Sequence, residues 1–232
     1  MRISIEKTPK QKLSQYAVDV ACAVSVTHLP KTDFSKVVDA AIDLNQQAGS
    51  AKAILHVGAR NLSSESELHE NIIRAKQAGI DKVLVIGGGE REGRAYQSTN
   101  EVHHAIAAYG LEMYCGVYPQ EEDYYLARET KYSVYSKGIT QLCLNSAVLN
   151  TWYEKTIPGV PTNCSVEGLL KYMRMCGLTE SFKYIAGNAI GIQYITMNGF
   201  SAKKFVKRLN HEQIHLYNFG RLDQTLLDLQ LG

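Results

Sequence analysis

No apolar stretch of the 232-residue chain approaches the roughly 20 residues needed to cross a bilayer, which excludes a helical membrane span. The five cysteines (Cys22, Cys115, Cys143, Cys164, Cys176) are odd in number, far apart and without a C-x-x-C pair. That argues against a disulfide scaffold or a zinc site and for reduced thiols in a cytoplasmic protein. An excess of one charge is also lacking. The formal net charge of +2 is too small to argue for nucleic acid. The basic run "SAKKFVKRLN" reads as the solvated face of a helix, because Phe205, Val206 and Leu209 supply a buried stripe. The opening "MRISIEKTPK" has no apolar h-region; its alternation of apolar and polar residues suits a strand and not a signal peptide. His103 and His104 are adjacent on an expected helix and point in different directions, so they make a poor metal pair. No low-complexity linker divides the chain, which reads as one domain over residues 1–232.

What is present is a regular alternation. Short apolar, β-branched runs occur at 3–6, 21–27, 53–58, 82–87, 112–118, 139–145, 157–161 and 213–219. Segments of helical period lie between most of them. In one, Val37, Val38, Ala41 and Leu44 form a stripe behind a candidate N-cap, Asp33. In another, Ser64 and Glu67 have capping-box spacing and Gly79 marks the stop. The connection over 7–20 is short for a full crossover helix; that over 162–212 must hold two helical segments, about 165–177 and 180–209. Eight strands interleaved with helices predict a (β/α)8 TIM barrel. A doubly wound open sheet would place its glycine-rich turn after the first strand, whereas "KVLVIGGGEREGRAY" puts Gly87, Gly88 and Gly89 after the fourth.

In such a barrel the chemistry gathers where strands end and βα loops begin. Those positions hold Glu6, Thr27, His28, His56, Arg60, Gly87 to Gly89, Tyr118, Gln141, Asn145, Thr162, Asn163, Asn218 and Arg221. An acid, an imidazole and an amide converging on one mouth make a candidate small-molecule pocket.

These strand ends resemble the methylenetetrahydrofolate reductase family, flavoprotein barrels that reduce 5,10-methylenetetrahydrofolate to 5-methyltetrahydrofolate with NAD(P)H as electron donor. "ISIEKTPK" is similar to the family's S-F-E-F-F-P-P strand and puts the catalytic glutamate at Glu6. "VSVT" gives the flavin-contacting threonine at Thr27, "LHVGAR" gives His56 and "GVYPQ" gives Tyr118. "GITQLCLN" places the pterin-binding glutamine at Gln141. "PGVPTN" resembles the turn of the seventh strand. The closing "IHLYNFGRLDQTLLDLQLG" gives Arg221, with Phe219, as substrate contacts. The resemblance implies FAD, held by Thr27, His56, Gly87 to Gly89, Tyr118 and Lys131, and a tetrahydrofolate derivative as substrate. A carboxyl held among apolar strands can protonate the nitrogen that departs as the methylene bridge opens, which is the role implied for Glu6. Where the family's fourth strand ends L-R-G-D, this chain reads Ile86-Gly87-Gly88-Gly89, and its flavin-contacting histidine is replaced near Glu122. Glu90 or Arg91 is placed to supply the displaced charge. Folate-side residues are thus kept better than flavin-side ones. Two alternatives stay open: a flavin-free tetrahydrofolate-binding enzyme that transfers a methyl or methylene group, and a non-catalytic folate-binding subunit of a larger complex or homo-oligomer.

Overall fold

The computed structural model describes residues 1–47, 49, 51–89, 95–119, 122–175, 194–196 and 199–230. Its strands are β1 (Arg2–Lys7), β2 (Ala23–Val26), β3 (Lys52–Gly58), β4 (Lys82–Ile86), β5 (Glu112–Val117), β6 (Lys137–Thr140), β7 (Thr156–Ile157), β8 (Gly159–Pro161), the short pair β9 (Ile195–Thr196) and β10 (Gly199–Phe200), and β11 (Gln213–Tyr217). One sheet runs in the order β7-β6-β5-β4-β3-β2-β1-β11-β8, parallel throughout. Because β7 and β8 flank Pro158 and form a single stave, this order closes on itself. The fold is a (β/α)8 barrel, and all eight expected strands are in place.

Helices return between the staves: α1 (Gln15–Val20), α2 (Phe34–Gln46), α3 (Glu65–Gln77), α4 (Thr99–Ile106), α5 (Tyr124–Thr130), α6 (Ser146–Thr151), α7 (Val166–Met175), α8 (Ala202–Val206) and α9 (Leu222–Gln230). α1 is short, as its brief connection requires. The stripe Val37, Val38, Ala41 and Leu44 is buried against Ile3, Ile5, Val24 and Val26, the outward faces of β1 and β2, in the main core. Ser64 caps α3 by accepting from the Glu67 N–H at 3.0 Å. Asp33 holds the N-cap position of α2 without a side-chain cap bond; its carboxylate pairs with exposed Lys36 at 2.8 Å. Gly79 ends α3 at φ +80°, a conformation that favours glycine.

The seam at Pro158 shows how the cylinder closes. Proline has no N–H to give, and the β6–β7 ladder stops at Ile139↔Ile157. Beyond it, β8 pairs with β11 from His215↔Gly159 to Tyr217↔Pro161. Side chains bridge the β6–β8 gap. The Gly159 N–H donates to Thr140 Oγ1 at 2.8 Å, and the Tyr217 hydroxyl donates to the Thr140 carbonyl at 2.5 Å. A Cβ on Gly159 would stand 2.4 Å from that carbonyl oxygen, so the seam requires glycine there.

The expected helix over 180–209 differs from what forms. Residues 176–193, with Cys176, lie outside the described residues, as do Glu90 and Arg91. From 194 onward, the antiparallel pair β9–β10 precedes the five-residue α8. The cause is Gly199 at φ +105°, whose Cβ position lies 2.1 Å from the Cys164 carbonyl oxygen, leaving no room for a helix-forming side chain. Phe205 is fully buried against Tyr194, rings edge-on at 4.9 Å.

Candidate active site

A cluster separate from the main core, made of Ala23, Ile54, Leu84, Tyr114, Ile139 and Ile157, takes one residue from each of six strands and marks the barrel interior. Side chains alternate along a strand, so two residues further on the interior positions are Ser25, His56, Ile86, Gly116, Gln141 and Gly159. β1 and β11 complete this layer with Glu6 and Tyr217, above Ser4 and His215. The upper end of the barrel is therefore largely polar, and in the mostly apolar layer below it Ser4 and His215 are the polar interruptions.

Which of these polar groups are already bonded within the protein separates scaffold from site. Among the strand-end residues, many are committed. Thr27 donates its hydroxyl to the Lys7 carbonyl at 3.0 Å. His28 accepts from the Gly58 N–H at 3.3 Å through Nδ1, so Nε2 carries the proton and donates to the Thr32 carbonyl at 3.1 Å. Asn145 caps α6 by accepting from Ala147 and Val148. Thr162 accepts from the Phe219 N–H, and Asn163 joins Asp228 to Ala202. Arg60 donates to the carbonyls of Gly88 (2.9 Å) and Gly89 (3.1 Å), while the Gly89 N–H donates to Asn61 Oδ1 at 3.0 Å. Lys131 pairs with Glu122 and donates to the Gly116 carbonyl at 3.1 Å, its ammonium 5.2 Å from the centre of the Tyr118 ring.

Four groups around Glu6 are different. Both ring nitrogens of His56, the hydroxyl of Ser25 and Nε2 of His215 are buried without a hydrogen-bond partner among the described residues. Glu6 keeps 20% of its side chain exposed and holds Oε2 3.9 Å from His215 Nε2. Ser4 donates to the Ile214 carbonyl at 3.2 Å, so its oxygen accepts from His215 Nδ1, 3.0 Å away. The Nδ1 proton is thereby fixed, and the Nε2 lone pair faces the carboxylate. Burial pushes the His56 imidazole down to about 4, against an opposing pull from Glu6, so His56 stays neutral at ordinary pH. Burial likewise pushes the Cys143 thiol up to about 12, with its sulfur in the core, which removes it as a nucleophile.

The other expected site residues have these places. Gln141 extends β6, its N–H donating to the Val117 carbonyl at 2.8 Å, with its side chain on the interior face. Phe219, just past β11, holds its ring centroid 3.9 Å from that of Tyr172 with the planes tilted by 41°. Arg221 is exposed at φ 50°, one residue before α9. Sequence reasoning missed Ser4, Ser25 and His215. Their signal was the period-two polar positions inside otherwise apolar strands, I-S-I-E, A-V-S-V and Q-I-H-L-Y.

Part of the flavin side assigned by resemblance is already engaged within the protein, while His56 is not. The Thr27 hydroxyl proton, the Lys131 ammonium and the Gly89 N–H are bonded within the protein, and Arg60 faces the glycine loop through its carbonyls. A loop that presents carbonyl oxygens to an arginine is not arranged to receive a phosphate, which needs donors.

No family model and no curated protein matches the chain. Among solved structures, it is similar to xylanase-A-amylase inhibitor protein XAIP-III, with TM-score 0.53 and 10% identity over 98% of this chain and 97% of the other. The chitinase ICChI from Ipomoea carnea gives TM-score 0.49 and 11% identity over 100% and 99%. Aldo-keto reductase AKR2E5, complexed with NADPH, gives 0.42 and 12% over 93% and 70%. At these identities the likeness is one of fold, and the fold is the TIM barrel.

Proposed function

We propose that the protein is a folate-dependent one-carbon enzyme with Glu6 as its general acid. The observation that carries this reading is the Glu6 carboxylate at the barrel mouth, facing the unpartnered Nε2 of His215 at 3.9 Å. In a methylene-bridged tetrahydrofolate, the bond from the bridge carbon to the departing nitrogen breaks. Its electron pair stays on that nitrogen, which takes the proton of Glu6. An iminium remains on the other nitrogen. His215, held by Ser4, is the positioning residue that keeps a proton within reach of Glu6. Gln141 offers an amide donor and acceptor to the pterin edge. The internal bonding of Thr27, Lys131 and the glycine loop favours the flavin-free form of this enzyme over the FAD-dependent one. The iminium then meets either a hydride from NAD(P)H or a nucleophile that takes the one-carbon unit.

The test is turnover of 5,10-methylenetetrahydrofolate with and without NAD(P)H and FAD, beside calorimetric binding of tetrahydrofolate. Glu6→Gln is expected to lower turnover by about a hundredfold or more while binding stays within about twofold. Absence of tetrahydrofolate binding would overturn the folate reading. Turnover that requires added FAD would overturn the flavin-free form, and an unchanged rate in Glu6→Gln would remove Glu6 as the acid.

A further inference from the structure

Away from the barrel mouth, on its flank, the β1–α1 connection and the second half of α2 enclose a cavity of about 420 Å³. Lys7, Lys10 and Lys12 line it from the connection, and Asp43 is the only carboxylate among its described lining residues. Lys7 is 8% exposed, and its ammonium makes no hydrogen bond or ion pair among the described residues. Burial pushes its pKa down, and the more distant Asp43 offsets this only in part. The Lys7 stem is buried and its ammonium reaches the cavity, as a snorkelling lysine does. The connection is also held in shape: the Gln11 side chain accepts from the Thr8 N–H at 2.8 Å, and the Gln11 N–H donates back to the Thr8 carbonyl at 3.2 Å. That turn keeps Lys10 and Lys12 beside the cavity that Lys7 lines.

We propose that this cavity binds a compact dianion bearing a phosphoryl group. Three ammonium groups against one carboxylate leave a net attraction for two negative charges. Lysines are point-charge donors suited to phosphate, and the planar arginine fork that suits carboxylates is missing from the described lining. The volume exceeds that of phosphate alone, so a phosphorylated small molecule fits as well as the free ion. Its lining side chains are distinct from the polar cluster at the barrel mouth, although Lys7 directly follows Glu6, and the proposal stands independently of the folate reading.

Titration calorimetry on the full chain tests it with inorganic phosphate, glycerol 3-phosphate and malonate as probes. Saturable binding of one of the two phosphoryl probes is expected, weakened about tenfold or more in Lys7→Met and about fivefold in Lys10→Ala/Lys12→Ala. Tighter binding of glycerol 3-phosphate assigns the site to a phosphorylated metabolite, and the reverse order assigns it to free phosphate. The double variant changes exposed positions and decides the matter if Lys7→Met fails to fold. Lack of saturable phosphoryl binding overturns the proposal, as does wild-type affinity in the variants or tighter binding of malonate.

Discussion

Replacing His56 with leucine isolates the consequence of burying an imidazole without a partner. The ring is held at about 4 in the folded protein, and it returns to its ordinary value near 6.5 in the unfolded chain. Between these values the unfolded chain binds the proton and the folded protein does not, so stability falls as pH falls. The loss begins near pH 6.5, reaches about 2 kcal/mol by about pH 5 and saturates near 3 kcal/mol below about pH 4. That is a large share of the roughly 5–15 kcal/mol that stabilises a typical domain. Leucine does not titrate, and it continues the apolar interior of Ile54 and Leu84 upward. Urea unfolding at about pH 7.5 and about pH 5 should show a drop smaller by about 2 kcal/mol in His56→Leu than in the wild type. His28 is also held low by burial, but it contributes equally to both proteins and cancels in the comparison. An identical drop in the two proteins would refute the claim that His56 is buried neutral.

Gly159→Ala drives a Cβ to 2.4 Å from the Thr140 carbonyl oxygen and to 2.4 Å from the Tyr217 ring. The overpacking, with loss of the Tyr217–Thr140 bond, should cost about 3 kcal/mol and lower the calorimetric Tm by about 10 °C; an unchanged Tm would contradict the seam described above. Arg60→Ala removes two donors from the glycine loop. Amide exchange at Gly87 to Gly89 should accelerate about tenfold while global stability changes by less than about 1 kcal/mol.

The eight staves were legible because each outward face carries apolar residues under the helices, as Ile3 and Ile5 or Val24 and Val26 do. The break at Pro158 was hidden inside one short run, since the partner change from β6 to β11 depends on which neighbour still has a free ladder edge. The β9–β10 pair was missed because periodicity over 180–209 cannot register a backbone approach such as that of Gly199 to the Cys164 carbonyl. At the mouth, Glu6 and His56 could be picked out as residue types at strand ends. Whether Thr27, Lys131 or Arg60 has bonding capacity left for a ligand depends on three-dimensional neighbours such as the Lys7 carbonyl, Glu122 and the glycine loop. That is why the cofactor side of the resemblance and the geometry part company. His215 was passed over because it lies mid-strand, level with Ser4 and one interior layer below Glu6.

The Ser4–His215 contact joins residues 211 positions apart in the chain, on the two staves whose pairing completes the ring. Until β1 meets β11, the imidazole has no Ser4 oxygen to fix its Nδ1 proton and no carboxylate opposite Nε2. An incompletely assembled chain with most of its helices in place would therefore lack these contacts altogether. On the proposed function, activity requires this closure, and during refolding its recovery should lag behind the return of helical signal.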